Sequence, residues 1–306
     1  LFQQALQLRR SLLGEHHSDV AFSLNNLAGI YEVQGRYELA EPLYHQSLQL
    51  LRSLLGEQHP NIASSLNNLA FLSYKQGRYE LAEQLFQQAL QLRRSLLGEE
   101  HPDVATSLNN LAGIYQTQGH YELAEQLYEQ ALQLTRSLFG EEHPDVASSL
   151  NNLAGIYEVQ GRYELAEQLF QQALRLKRSL LGDQHPSVAN SLNNLAGLYR
   201  KQGRYELAEP LYEQSLQLTR SLLGEQHPAV ALSLNNLAAL YTKQGRLTEA
   251  EPLLVQALAM RQQLLGNQHP YTVETQQSLV VLRQMMGRST KKAERSLLGR
   301  LRSLFQ

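Results

Sequence analysis

The sequence predicts an all-α solenoid of antiparallel helix pairs, and three observations predict it. One 42-residue unit is copied along the chain, each copy spaces its apolar residues as a helix does, and no stretch alternates as a strand would. His59-Pro60, His101-Pro102, His143-Pro144, His185-Pro186, His227-Pro228 and His269-Pro270 mark the period, with His17-Ser18 as an imperfect seventh member. Asn-Asn-Leu-Ala keeps the same step from Asn25, Asn67, Asn109, Asn151, Asn193 and Asn235. The glycines obey it too, in one set running from Gly14 to Gly266 and another from Gly35 to Gly287. The units beginning at His101 and His143 are identical at about three quarters of their positions, which leaves little room for the one-off residues of an enzyme site.

Each element follows from local chemistry. The first helix of a unit opens at Pro, favoured there because its missing N–H would have no partner in the first turn. In the unit at Pro102, Leu108, Leu111, Ala112 and Tyr115 fall on one helical face. Gly119 then ends the helix by taking the left-handed conformation open to glycine. A second helix starts near Tyr121, carries Ala124, Leu127, Tyr128, Ala131 and Leu132 as its stripe, and runs to Gly140. That is about 19 residues, roughly 28 Å. Six of the nine prolines open first helices; Pro42, Pro210 and Pro252 sit early in second helices, where losing one backbone bond is cheap.

Composition narrows the function classes. The 306 residues carry 27 Lys+Arg against 29 Asp+Glu, a net charge of -2 with 18% charged residues, so no polyanion such as nucleic acid is the expected partner. Zero Cys removes thiolate nucleophiles, disulfides and Cys-bound zinc, and suits a reducing, cytoplasmic setting. No apolar run approaches the ~20 residues of a membrane span, and no secretory signal opens the chain.

Leu-Ala-Gly-Ile-Tyr-x-x-Gln-Gly-x-Tyr-x-x-Ala-x-x-x-Tyr, carried here by Leu27, Ala28, Tyr31, Gly35, Tyr37, Ala40 and Tyr44, resembles the tetratricopeptide repeat. The 42-residue period with His-Pro-Asp-Val-Ala-x-Ser-Leu-Asn-Asn-Leu-Ala is more specifically similar to the repeat of kinesin light chains and their bacterial relatives, over residues 17 to 288. The Gln-Leu-rich second helices look more like the bacterial members. The resemblance implies a right-handed superhelix whose first helices line a concave groove that binds an extended peptide or partner helix. Ser73 in place of Tyr, Ser18 in place of Pro and Gln277-Ser278 in place of Asn-Asn depart from the pattern.

Helical-wheel arithmetic locates a groove face independently. The two Asn of each pair straddle a direction pointing away from the core stripe, with Gly29, Gly113, Gly155 and Gly197 at its centre. A helical glycine costs about 1 kcal/mol relative to Ala, a cost that close approach of another chain would offset. Asn amides match the N–H and C=O of an extended backbone. The expected peptide-binding residues are therefore Asn67, Asn68, Asn109, Asn110, Asn151, Asn152, Asn193, Asn194, Asn235 and Asn236. The competing reading is that the amides tie neighbouring helices together. Flanking groove positions turn positive toward the C-terminal half, and Lys75, Arg200, Lys201 and Lys243 join the expected site as receptors for an acidic or C-terminal carboxylate peptide.

The remaining signals stop short of chemistry. The periodic histidines lack a second ligand three or four residues away and read as helix-terminus groups, not metal ligands. HExxH, GxxxxGK[ST] and G-x-S-x-G are absent, no cofactor is implied, and the chain reads as a non-enzyme. The expected organisation is 1–13 as the trailing helix of a preceding, truncated unit, 14–266 as six full units, 267–288 as a partial seventh, and 289–306 as a basic capping helix or tail. That tail holds Arg288, Lys291, Lys292, Arg295, Arg300 and Arg302 against Glu294, which leaves membrane contact open as a rival to capping. End-to-end self-association, and service as the sensor arm of a larger signalling ATPase or protease, are the rival functions.

Overall fold

The computed structural model describes the backbone of residues 1–304 and the side chains of residues 1–287. Every described element is a helix. First helices are α2 (Ser18–Val33), α4 (Pro60–Lys75), α6 (Pro102–Gln118), α8 (Pro144–Val159), α10 (Pro186–Lys201) and α12 (Pro228–Lys243). Second helices are α3 (Tyr37–Leu55), α5 (Tyr79–Leu97), α7 (Tyr121–Phe139), α9 (Tyr163–Leu181), α11 (Tyr205–Leu223) and α13 (Leu247–Leu265). They are preceded by α1 (Phe2–Leu13) and followed by α14 (Pro270–Leu304). The chain forms two compact units, 1–176 and 177–306. In each, consecutive helices pack against each other as antiparallel pairs. No described helix is long and apolar enough to cross a membrane.

The helix starts are set by histidine. His17, His59, His101, His143, His185, His227 and His269 precede first helices, and each Nδ1 accepts the backbone N–H two residues on, at 3.1–3.3 Å. A neutral imidazole thus does the work more often given to Ser or Asp at an N-cap. Ser18 opens its helix without proline because His17 supplies the same cap. Gly119 follows α6 at φ 83°, a left-handed turn that L side chains resist. Gly287, on the same sequence grid, behaves differently: it lies inside α14, which runs on without a break to Leu304. The basic residues expected to cap or to touch lipid lie outside the described side chains.

Within a pair, helices meet through alanine. Ala28 and Ala40, Ala70 and Ala82, Ala112 and Ala124, Ala196 and Ala208, and Ala238 and Ala250 are all at 0% exposure. Leucines complete the core; Leu66, Leu69 and Leu72, for example, pack with Tyr44, Leu48 and Leu51 of the preceding second helix. Between repeats a polar stitch recurs. Glu41 accepts from Gln76 Nε2 at 3.1 Å and Arg78 Nη2 at 2.8 Å, Glu125 from Gln160 and Arg162, and Glu209 from Gln244 and Arg246. Burial alone would raise the Glu41 carboxyl, but the Gln76 amide and Arg78 guanidinium hold it below its usual range.

A second period of two repeats, not anticipated from the 42-residue grid, runs through the second helices. Phe86 and Phe170 alternate with Tyr44, Tyr128 and Tyr212. Seven residues further on, Arg9, Arg93, Lys177 and Arg261 alternate with Leu51, Thr135 and Thr219. These cations reach the buried hydroxyl of the next first helix: Arg93 Nη1 donates to Ser107 Oγ at 2.8 Å and Lys177 Nζ to Ser191 Oγ at 3.0 Å. At the alternating layer Thr135 and Ser149 hydroxyls meet at 3.1 Å. Burial depresses the Lys177 ammonium below its ordinary value, with no carboxylate offsetting it.

Two outcomes follow. His185→Ala should cost about 1 kcal/mol in urea unfolding, as loss of an N-cap does, whereas His185→Asn, which keeps an acceptor, should leave the midpoint nearly unchanged. Lys177→Thr, which copies Thr135 and Thr219, should raise the melting temperature at pH 7 by relieving an uncompensated buried charge, on the order of 1 kcal/mol. Because the folded-state lysine loses its proton more readily than the unfolded one, the wild type gains stability as pH rises toward 10.5, the ordinary lysine value. The gap between variant and wild type should therefore narrow over that window.

Candidate functional site

The first helices leave one stripe open to solvent in each repeat. In repeat one it comprises Phe22, Asn26, Gly29 and Val33, at helical steps of four, three and four. The corresponding positions are Ser64, Asn68, Phe71 and Lys75 in repeat two, Thr106, Asn110, Gly113 and Thr117 in repeat three, and Leu232, Asn236, Ala239 and Lys243 in repeat six. These are open or half-open, while Leu24, Leu27 and Ala28 on the opposite face are buried. The direction read from the helical wheel as pointing off the core is thus the exposed one.

The asparagines bind each other. Asn68 Nδ2 donates to Asn25 Oδ1 at 2.8 Å, Asn110 to Asn67 at 2.8 Å and Asn152 to Asn109 at 3.1 Å in the first unit, and Asn236 to Asn193 at 3.2 Å in the second. Asn109 spends its own Nδ2 on Ala105 O at 3.1 Å. So the first Asn of a pair is the acceptor of the rung: Asn25, Asn67, Asn109 and Asn193 each take one hydrogen bond from the next repeat. The second Asn keeps its Oδ1 and one N–H: Asn68, Asn110, Asn152 and Asn236 make no other contact among the described residues. Asn151 and Asn194 are also engaged. At the end of the series Ser278 stands where Asn would, and Asn235 Oδ1 is buried without a donor.

The glycine reading is corrected. A Cβ on Gly29, Gly113 or Gly197 would meet the hydroxyl of Tyr44, Tyr128 or Tyr212 at 3.5 Å, so what approaches these glycines is the repeat's own second helix. At Gly155 the partner is Phe170, which has no hydroxyl, and nothing lies within 4 Å. In repeat two, where Phe71 stands at the glycine position, it packs edge-on against Phe86 with ring centroids 5.0 Å apart. The tyrosine hydroxyl is held in turn from the first helix, donating to Glu32 Oε2 at 2.7 Å and to Gln116 Oε1 at 3.2 Å, and accepting from Arg200 Nε at 3.4 Å. Burial and then the Glu32 carboxylate push the Tyr44 phenol up, while burial takes Tyr128 to about 12.

The expected cations divide. Lys75 Nζ pairs with Glu32 Oε1 at 2.7 Å, so it is neutralised in place and drops out as a free anion receptor. Lys201 has a further interaction of its own. Arg200 and Lys243 face a common cleft of about 350 Å³, floored by Ala239, Leu254, Val281 and Leu282. Glu274 and Gln277 of α14 close its far wall. Lys243 is exposed and has no ion-pair partner among the described residues. The cleft was not foreseen, although its signal is in the sequence: Ala239 and Leu254 replace Phe71 and Phe86 four repeats earlier. No three His, Cys, Asp or Glu side chains come together as a metal site among the described residues.

Comparison with known proteins agrees with this anatomy. The tetratricopeptide repeat family pattern matches residues 19–95, 62–137, 105–179, 145–221, 187–263 and 230–294. No curated protein matches the chain. Among solved structures, BtubC (BKLC) from P. vanneervenii is 27% identical with a TM-score of 0.58, over 76% of this chain and 92% of that one. A kinesin-light-chain-type protein of Podospora anserina with nearly identical repeats is 30% identical with a TM-score of 0.53, over 67% of this chain and 98% of that one. A Rap protein complexed with Competence and Sporulation Factor shares the fold at 18% identity and a TM-score of 0.62, over 92% of this chain and 80% of that one. The chain belongs to the tetratricopeptide repeat family, a family of protein–protein interaction scaffolds, and its solved neighbours include proteins of the kinesin light chain type.

Proposed function

We propose that the open stripe of the first helices captures an extended peptide or partner segment, with the second Asn of each pair as the repeating contact. The observation that carries this reading is the unspent Oδ1 and N–H of Asn68, Asn110, Asn152 and Asn236, held in fixed orientation by the rung to the neighbouring Asn. A preoriented amide loses little freedom when it binds, and it offers both partners that a peptide unit requires. Asn25, Asn67, Asn109 and Asn193 act by positioning these amides. Arg200, Lys201 and Lys243 bias the C-terminal end toward an acidic segment. Nucleic acid does not fit, since the array has neither basic excess nor exposed stacking rings in series.

Lys201→Glu with Lys243→Glu, titrated against an acidic peptide library, should weaken binding about tenfold or more; unchanged affinity removes the charge preference. Asn110→Ala with Asn152→Ala should weaken every bound peptide alike, because backbone contacts carry no side-chain selectivity. If binding is unaltered, the rungs serve only to hold the helices together.

A second reading, end-to-end self-association, is favoured by α1. Phe2, Leu8 and Leu12 are exposed there, whereas Tyr44, the counterpart of Phe2 in the next second helix, is buried. A second copy of the chain would cover this face. Sedimentation velocity should then show assembly that grows with concentration and is abolished by Leu8→Glu with Leu12→Glu; a monomer at all concentrations rejects it.

A further inference from the structure

We propose that the cleft bounded by Arg200, Lys243 and α14 is a pocket for one carboxylate standing next to an aliphatic side chain. In repeats one and two Glu32 supplies in cis the carboxylate beside Lys75; here Arg200 stands in its place, and the carboxylate comes from a ligand. The inference rests on the peptide-capture reading and specifies what the groove selects at this place.

The repeats supply their own control. In repeats one and two the Glu32 carboxylate sits between a cation and a phenol, 2.7 Å from Lys75 Nζ and 2.7 Å from the Tyr44 hydroxyl. Four repeats later the cation and the phenol recur as Lys243 and Tyr212, but the residue between them is Arg200. Its guanidinium donates to the Tyr212 oxygen at 3.4 Å. The position that holds a negative charge in one place thus holds a positive one in the other, and nothing in the described chain neutralises Lys243. Two like charges at adjoining positions are relieved by an anion that bridges them.

The apolar half follows from the same comparison. Phe71 and Phe86 fill the space beside Lys75 edge to face. Ala239 and Leu254 take their places beside Lys243, and the lost ring volume opens as the 350 Å³ cleft. Val281 replaces the Gly113 of the earlier register and adds an aliphatic wall. An aliphatic side chain fits this floor, since its burial is worth about 25 cal/mol per Å² of apolar surface. Glu274 on the far wall repels a second acid there. The pocket therefore selects a single acidic residue beside aliphatic ones, and discriminates against a run of acids.

The probes are three acetylated, amidated heptapeptides, Gly-Ser-Leu-Glu-Leu-Ser-Gly and its Glu→Gln and Leu→Ser counterparts, read by fluorescence anisotropy. Wild type should bind the parent about tenfold more tightly than either counterpart, a difference of about 1.4 kcal/mol. Arg200→Glu should erase the preference for Glu over Gln, and Ala239→Phe should erase the preference for Leu over Ser while keeping that for Glu. Both substitutions install residues that the fold already holds at Glu32 and Phe71; far-UV circular dichroism checks that each is folded. Adding Glu32→Arg to Arg200→Glu should restore the Glu preference without the Leu preference, because Phe71 still closes the cavity there. Failure of that restoration overturns the role given to Glu32. Equal binding of the Glu and Gln peptides by wild type overturns the pocket while leaving capture of other acidic peptides standing. Absence of binding by these peptides and by the acidic library overturns both.

Discussion

The structure depends on how closely two helices can approach where both carry alanine. Ala28 against Ala40, and its copies along the chain, leave only a methyl group on each side of the crossing, and that short separation sets the geometry of a repeat. It brings the second-helix tyrosine hydroxyl up to the next residue of the first helix, 3.5 Å from where a Cβ would stand on Gly29, Gly113 or Gly197. Neither helix has enough apolar surface to persist alone, so each pair is completed by the pair before it, and stability accrues through neighbours. Placement of the asparagine rungs is a consequence: once the first helices stand at a fixed distance, an amide on one meets an amide on the next.

Polar groups then distinguish the two faces of a repeat. At the turns, Glu41, Glu125 and Glu209 bind the Gln and Arg of the following repeat, and arginines such as Arg162 and Arg246 lie over Tyr157 and Tyr241 with guanidinium-to-centroid distances of 4.1 and 4.0 Å. These contacts hold neighbours in register. On the open stripe each rung uses only one N–H of the second amide and one lone pair of the first. A surface that is ordered without being satisfied is what recognition requires, because binding then adds hydrogen bonds at little entropic cost.

Helix boundaries were legible almost to the residue. Pro102, Gly119, Tyr121 and Gly140 each act within one turn of chain, and local chemistry survives in a one-dimensional reading. The wheel also gave the open direction of the first helices. It could not give what stands across from an asparagine or a glycine, since azimuth says nothing about the neighbouring helix. The missing information was in a spacing of 43 residues, one repeat plus one step, shared by Asn25 with Asn68 and by Glu32 with Lys75. Comparing equivalent positions at 42 passes over it. Gly287 keeps the sequence grid without its turn: a glycine permits a turn, and the tyrosine and alanine that follow it in a full repeat are absent from the sequence here.

The alternation of Phe with Tyr and of a buried cation with Thr or Leu shows which differences the array accommodates from tier to tier. Arg93 and Thr135 both end on the serine of the next first helix, Ser107 and Ser149. The receiving helix thus offers the same hydroxyl to a long cation and to a short alcohol, so one kind of layer stands beside the other without a change in the helix that meets it.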